Sequence, residues 1–205
     1  MITLSLAIAM HAIGFQLRVS GDTTFHLRFD AMPVLSSMHV IGGAVVLLTG
    51  GFQFWPRLRA LFPVIHRWMG RIYLAFVLIG GLGGLALAPY SDGGVVTHFG
   101  FGLLAVLWLF SGWQAFQNIR NGDIQAHKEW MMRNYAMTFG AVTLRIYLGM
   151  FAVAGISFEE AYPTTAWISW VPNLILVEWY LVLTARSAMQ KRVSNLQRQA
   201  ATNPA

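Results

Sequence analysis

The chain has 205 residues, of which 56% are hydrophobic and only 11% charged, with a net charge of +6 at neutral pH and a mean hydropathy of +0.55. A soluble domain carries about 25% charged residues, so this composition excludes a soluble globular fold. It contains no cysteine, which excludes disulfides, thiolate metal centres, iron–sulfur clusters and covalently attached haem.

The first apolar segment, 2–17, is short, because a span needs roughly 20 apolar residues. It has no basic leading stretch and no small-residue cleavage site, so it reads as a helix rather than a signal peptide. Arg18, Asp22, His26, Arg28 and Asp30 follow in a polar connection. Charge-poor apolar segments then predict five spans, near 34–54, 68–89, 95–117, 130–153 and 164–184. Pro33 and Pro63 suit first-turn positions. Asp92 and Asp123 are expected to cap the third and fourth spans, and Pro163 with Thr164 and Thr165 to open the fifth. The fold class is therefore an all-α polytopic membrane bundle of about six helices. Its single transmembrane domain covers 1–185, with a core over 34–153, and a polar, basic tail covers 186–205.

Charge sets the expected orientation. Arg57, Arg59, Arg67 and Arg71 surround the connection after 34–54, and Arg120, Lys128 and Arg133 surround the one before 130–153. Arg186, Lys191, Arg192 and Arg198 follow the last span, whereas the alternate connections hold Asp92, Glu159 and Glu160 without Lys or Arg. The positive-inside rule puts the basic connections and the C-terminus in the cytoplasm, and the N-terminus too if 2–17 crosses. The positive charge thus flanks helices and gives no argument for nucleic acid; it suits lipid headgroups.

A repeat runs through the core. Trp68-Met69-Gly70-Arg71-Ile72-Tyr73 lines up with Trp130-Met131-Met132-Arg133-Asn134-Tyr135 at an offset of 62. Gly51, Gln53 and Arg59 match Gly112, Gln114 and Arg120 at an offset of 61. This is the pattern of a duplicated helix pair, 34–89 and 95–153, related by an axis along the membrane normal.

Four histidines, His39, His66, His98 and His127, each lie about one turn inside successive helices. Successive spans enter from opposite faces, so His39 shares a depth with His98, and His66 with His127. A single histidine near a helix end is commonly just an interfacial residue. Four at matched depth on four successive helices suit two bis-histidine haems, since imidazole is a common axial ligand of haem iron. Gly43, Gly70 and Gly102 follow their histidines by four residues on the same helix face, where a missing side chain lets a flat macrocycle approach. His127 has Met131 there instead, and His11 and His26 fall outside the pattern. Gly80, Gly81, Gly83 and Gly84 read as close helix packing.

Arg145 lies 18 residues past His127, about 27 Å along a helix, near the level of His39 and His98. It suits the propionates of an outer haem b, and Arg71 and Arg133 suit an inner one; snorkelling to headgroups is the simpler role for the last two. Glu178 is expected to pair with a basic side chain or to take up a proton. Trp55, Trp68, Trp130 and Trp167 read as interfacial belt residues. No nucleotide loop, serine elbow or HExxH occurs.

The segments 66–73 and 127–136, with Gly51-Phe52-Gln53-Phe54, Arg57, Arg59 and Thr143-Leu144-Arg145-Ile146-Tyr147-Leu148, closely resemble a bacterial family of predicted membrane proteins, domain-of-unknown-function family 2306. The resemblance implies a polytopic protein of a bacterial inner membrane and carries no activity. Separately, the four histidines on consecutive helices resemble the diheme cytochrome b-561 type of transmembrane reductase, which implies ligands paired two-with-four and three-with-five. That likeness is architectural and carries no donor. The expectation is a transmembrane oxidoreductase with two b haems, His39 and His98 outside and His66 and His127 inside, with a quinone or a small reductant as partner. The alternatives are a transporter or metal-handling protein using the same histidines with Met38, Met69 and Met131, and a cofactor-free membrane scaffold.

Overall fold

Prolines set the first helix boundaries in the computed structural model, which describes residues 2–19, 27 and 29–202. Asp22, His26 and Arg28 lie outside the described residues. After α1 (Ile2–Gln16), α2 (Pro33–Gln53), α3 (Pro56–Leu61) and α4 (Pro63–Leu87) each begin on a proline. A proline there loses no hydrogen bond, because the first N–H groups of a helix have no partner in the helix. A 3₁₀ turn, Ala88–Tyr90, leads to α5 (Val95–Arg120). Then come α6 (Ile124–Thr138), α7 (Gly140–Val153), α8 (Phe158–Ile168) and α9 (Val171–Thr202). The described residues contain no strand.

Five stretches are long and apolar enough to cross a membrane: Pro33–Gln53, Pro63–Tyr90, Val95–Arg120, Ile124–Val153 and Phe158–Lys191. α1, at 15 residues, is shorter. The protein is an all-helical membrane bundle. Large apolar side chains such as Leu78, Leu82, Phe99, Phe110, Trp113 and Leu176 stay exposed on its outside, as lipid contact requires.

The helix starts differ from expectation in two places, at α5 and α8. Pro63 and Asp123 start α4 and α6 as expected, and the Asp123 carboxylate accepts from Ala126 N at 2.9 Å. The N-cap of α5 is Gly94, whose φ of +66° favours glycine, and not Asp92. Pro163 sits inside α8, which opens at Ser157, whose hydroxyl accepts from Glu160 N.

Each of the last two spans is broken once. Phe139 separates α6 from α7, and Ser169–Trp170 separate α8 from α9. The two breaks touch. Gly140 faces Trp170, whose Cβ would lie 3.2 Å from a Cβ at position 140. Thr143 Oγ1 donates to Ser169 O, and Asn173 Nδ2 donates to Ser169 O at 3.0 Å and to Ala136 O at 3.3 Å. Side chains thereby replace bonds that a continuous helix would supply, as low dielectric demands.

The core is a ring of four helices. α2 packs closely on α4, α4 packs on α5 and α5 on α6, and α6 touches α2 more lightly. The diagonal partners are therefore α2 with α5 and α4 with α6. Small residues bring the first pair together: a Cβ on Gly42 would stand 2.6 Å from Gly80 Cα. Lipid tails are as apolar as leucine, so such close packing, rather than hydrophobicity, holds membrane helices together. Tyr73, Val46, Val77, Trp108 and Tyr135 fill the centre.

Polar side chains lock the middle of the ring. The Tyr73 hydroxyl donates to Asn134 Oδ1 at 2.7 Å, and Trp108 Nε1 donates to Thr138 Oγ1 at 2.9 Å. Asn134 Nδ2 reaches both Trp108 O and Ser111 Oγ at 2.8 Å. α1 docks outside this ring through Ser5, whose hydroxyl is 3.0 Å from Tyr135 Oη.

Candidate cofactor site at the histidines

The ring arrangement sorts the four histidines by diagonal and by end. His39 (α2) and His98 (α5) share one diagonal and one end, near the α4–α5 connection: the His39 backbone lies against Gly83, and His98 bonds to Ser91. His66 (α4) and His127 (α6) share the other diagonal and the opposite end. His66 lies within electrostatic reach of His127, Arg59 and Arg67.

Hydrogen bonds fix three of the tautomers. His39 Nδ1 lies 3.1 Å from Gly80 O, and His127 Nδ1 lies 2.8 Å from Ala115 O. A carbonyl only accepts, so Nδ1 carries a proton in each ring, which in the neutral imidazole leaves the Nε2 lone pair free. His98 is the other way round. Its Nε2 donates to Ser91 O at 3.0 Å, so ligation through Nε2 would require that bond to break. The fourth ring, His66, has its Nδ1 buried with no hydrogen-bond partner among the described residues.

The glycines that follow the histidines differ in the room they leave. A Cβ on Gly43 would meet nothing within 4 Å, and one on Gly102 only Ala88 Cβ at 3.8 Å. A Cβ on Gly70 would lie 3.6 Å from Gln53 Oε1. Gly84, expected only to pack helices, instead makes room for the His39 ring, whose Nδ1 would lie 2.7 Å from an added Cβ. Two surface grooves run along α2, one past Pro33, Met38 and Ile79 and one between α1 and α2, and none of the four histidines lines either.

Residues 36–181, which contain all four histidines, match the family described as predicted membrane protein (DUF2306). The chain belongs to that family. No curated protein and no solved structure matches it.

In this DUF2306 chain the three arginines have different partners. Arg71 lies over the Trp68 ring at 4.8 Å, and Arg133 lies over the Trp130 ring at the same distance. The two copies of the repeat therefore build the same cation–π pair. Arg133 is also held by Glu178 through a two-pronged bond, 2.6 Å from Nε and 3.0 Å from Nη2. Arg145 is exposed along α7, donates to Ala141 O of its own helix at 2.8 Å, and lies within electrostatic reach of His39. No carboxylate among the described residues pairs with it.

Among the described residues no three His, Asp or Glu side chains gather as a metal centre. A bis-histidine haem needs only two such ligands. Sequence reasoning did not single out Gln53 beyond its place in the repeat. It is 7% exposed, and its Nε2 has no partner among the described residues. Nothing in the sequence marks that, because the missing partner follows from where α2 ends.

Proposed function

We propose that this membrane protein carries electrons between the two faces of a bacterial inner membrane through two b-type haems. The observation that supports it best is that each histidine pair occupies one diagonal of the helix ring at one end. Diagonal helices leave the space between them to whatever their side chains hold. The residues suit haem. Protonated Nδ1 atoms bonded to backbone carbonyls orient His39 and His127 and raise the basicity of Nε2, the usual outer support of a ligating histidine. Gly43 and Gly102 keep the adjoining faces low, whereas Gly70 is covered by the Gln53 side chain.

His39 and His98 would hold the outer group and His66 and His127 the inner one, each supplying a reversible one-electron couple. His39 bonds to Gly80, 14 residues from His66 along α4, which separates the two levels by about 20 Å. Arg145 is the cation suited to an outer propionate. Arg71 is suited to an inner one, because Arg133 already serves Glu178. The charge bias orients the chain with its basic connections and both termini in the cytoplasm. A membrane quinone or a small reductant would be the exchange partner.

The test is the absorption spectrum of protein purified after expression with ample haem. Soret and α bands are expected, with about half of the haem lost in His98→Ala and about half in His127→Ala. A colourless protein overturns the reading.

A further inference from the structure

The two copies of the repeat differ where the first helix of each ends, and that difference leaves two buried polar atoms without partners among the described residues. In the second copy α5 runs on to Arg120, so Ala115 O stands on a helical rung and accepts from His127 Nδ1. The offset of 61 that aligns His127 with His66 aligns Ala115 with Phe54. In the first copy α2 stops at Gln53, Phe54 is its C-cap, Trp55 is extended, and α3 turns away at Pro56. His66 Nδ1 accordingly lacks the carbonyl that His127 has. Gln53, the last residue of α2, brings a second unpartnered group, its amide Nε2. Its side chain lies over Gly70, which follows His66 by one turn on the same face of α4.

We propose that Gln53 and His66 bind the head group of a membrane quinone, with a head-group oxygen accepting from Gln53 Nε2 and a second polar oxygen meeting His66 Nδ1. A ligand here must offer an acceptor to a neutral amide, complement an imidazole nitrogen, and arrive through lipid. The exposed apolar side chains of Phe54, Leu61, Phe62, Val64 and Ile65, on the chain between Gln53 and His66, suit an isoprenoid tail. A phosphate would be drawn instead to Arg57 and Arg59, which are exposed on α3. The proposal names the site for the quinone partner of the reading above, and it does not require haem.

The test uses full-length protein in phosphatidylcholine nanodiscs, both haem-loaded and colourless, titrated with short-chain ubiquinone and menaquinone analogues. Quenching of tryptophan fluorescence reports binding, because Trp55 and Trp68 flank the site. Saturable quenching is expected, weakened about tenfold or more in Gln53→Leu and unchanged in Gln114→Leu, the repeat counterpart. Gln53→Met, of similar length, gives the same loss if the leucine variant does not fold. The proposal is overturned if wild-type protein shows no saturable quenching, if the Gln53 variants bind as wild type, or if Gln114→Leu loses as much. A signal that needs phosphatidylglycerol and not quinone assigns the site to a lipid headgroup and also overturns it. Binding to colourless protein that never takes up haem keeps this site while sinking the electron-transfer reading.

Discussion

Glu178 holds Arg133 in a geometry that neither residue would find in water. The guanidinium is clamped between a carboxylate and the Trp130 ring, with its side chain one-fifth exposed. Glu178→Ala removes two charge-assisted bonds and leaves a cation facing lipid and indole. It is expected to lower unfolding stability by about 2 kcal/mol, and Glu178→Gln by less, read as thermal unfolding in detergent. Unchanged melting in Glu178→Ala would show that the pair contributes nothing. Tyr73 makes a similar case in the middle of the ring. It is fully buried and bonded to Asn134 and Thr138. Tyr73→Phe is expected to cost about 1 kcal/mol, because the Asn134 oxygen then loses its donor.

At the scale of helices, neighbouring glycines play opposite parts. Gly42 touches the backbone of α4, whereas Gly43 faces open space. Gly42→Leu should separate α2 from α4 and cost about 1–3 kcal/mol. Gly43→Leu should leave folding intact and, on the electron-transfer reading, reduce the haem held by His39 and His98. The two variants, compared by melting temperature and by absorbance, separate packing from cradle; equal melting temperatures would contradict the assignment. Much at this scale was legible in the sequence. Pro33, Pro63 and Asp123 act as punctuation because their effects are local: a fixed φ, a missing N–H, a carboxylate within reach of the next turn. Asp92 and Pro163 misled because competing local signals lay close by, Gly94 with its positive φ and Ser157 with its hydroxyl. The histidine levels followed from helix counting alone. Their ring orientations did not, since the carbonyls that hold His39, His98 and His127 belong to distant helices or to a connection. The breaks at Phe139 and Ser169 had only Gly140 and Pro172 to mark them, and both residue types are common inside membrane helices.

The whole molecule is a polarised object, with its arginines and lysines concentrated at the His66–His127 end. The absence of native cysteine makes its orientation directly measurable. Glu159→Cys and Arg186→Cys, both at exposed positions, are expected to react with an impermeant maleimide from opposite sides. The first should label in intact spheroplasts and the second only in inverted vesicles. The reverse pattern would invert the topology and exchange the inner and outer roles of the histidine pairs.

The two helix breaks bear on how the chain enters the membrane. α7 has 14 residues and α8 has 11, about 21 Å and 17 Å of helix, and the hydrocarbon is about 30 Å thick. Neither reaches across alone, so the hairpin from Gly140 to Ile168 has no independent transmembrane stretch for an insertion machinery to recognise. It spans only as a continuation of α6 and α9. The bonds of Thr143 and Asn173 that join the two breaks can form only once the start of the last helix has emerged, so α7 gains its seat against α8 after its own span has entered.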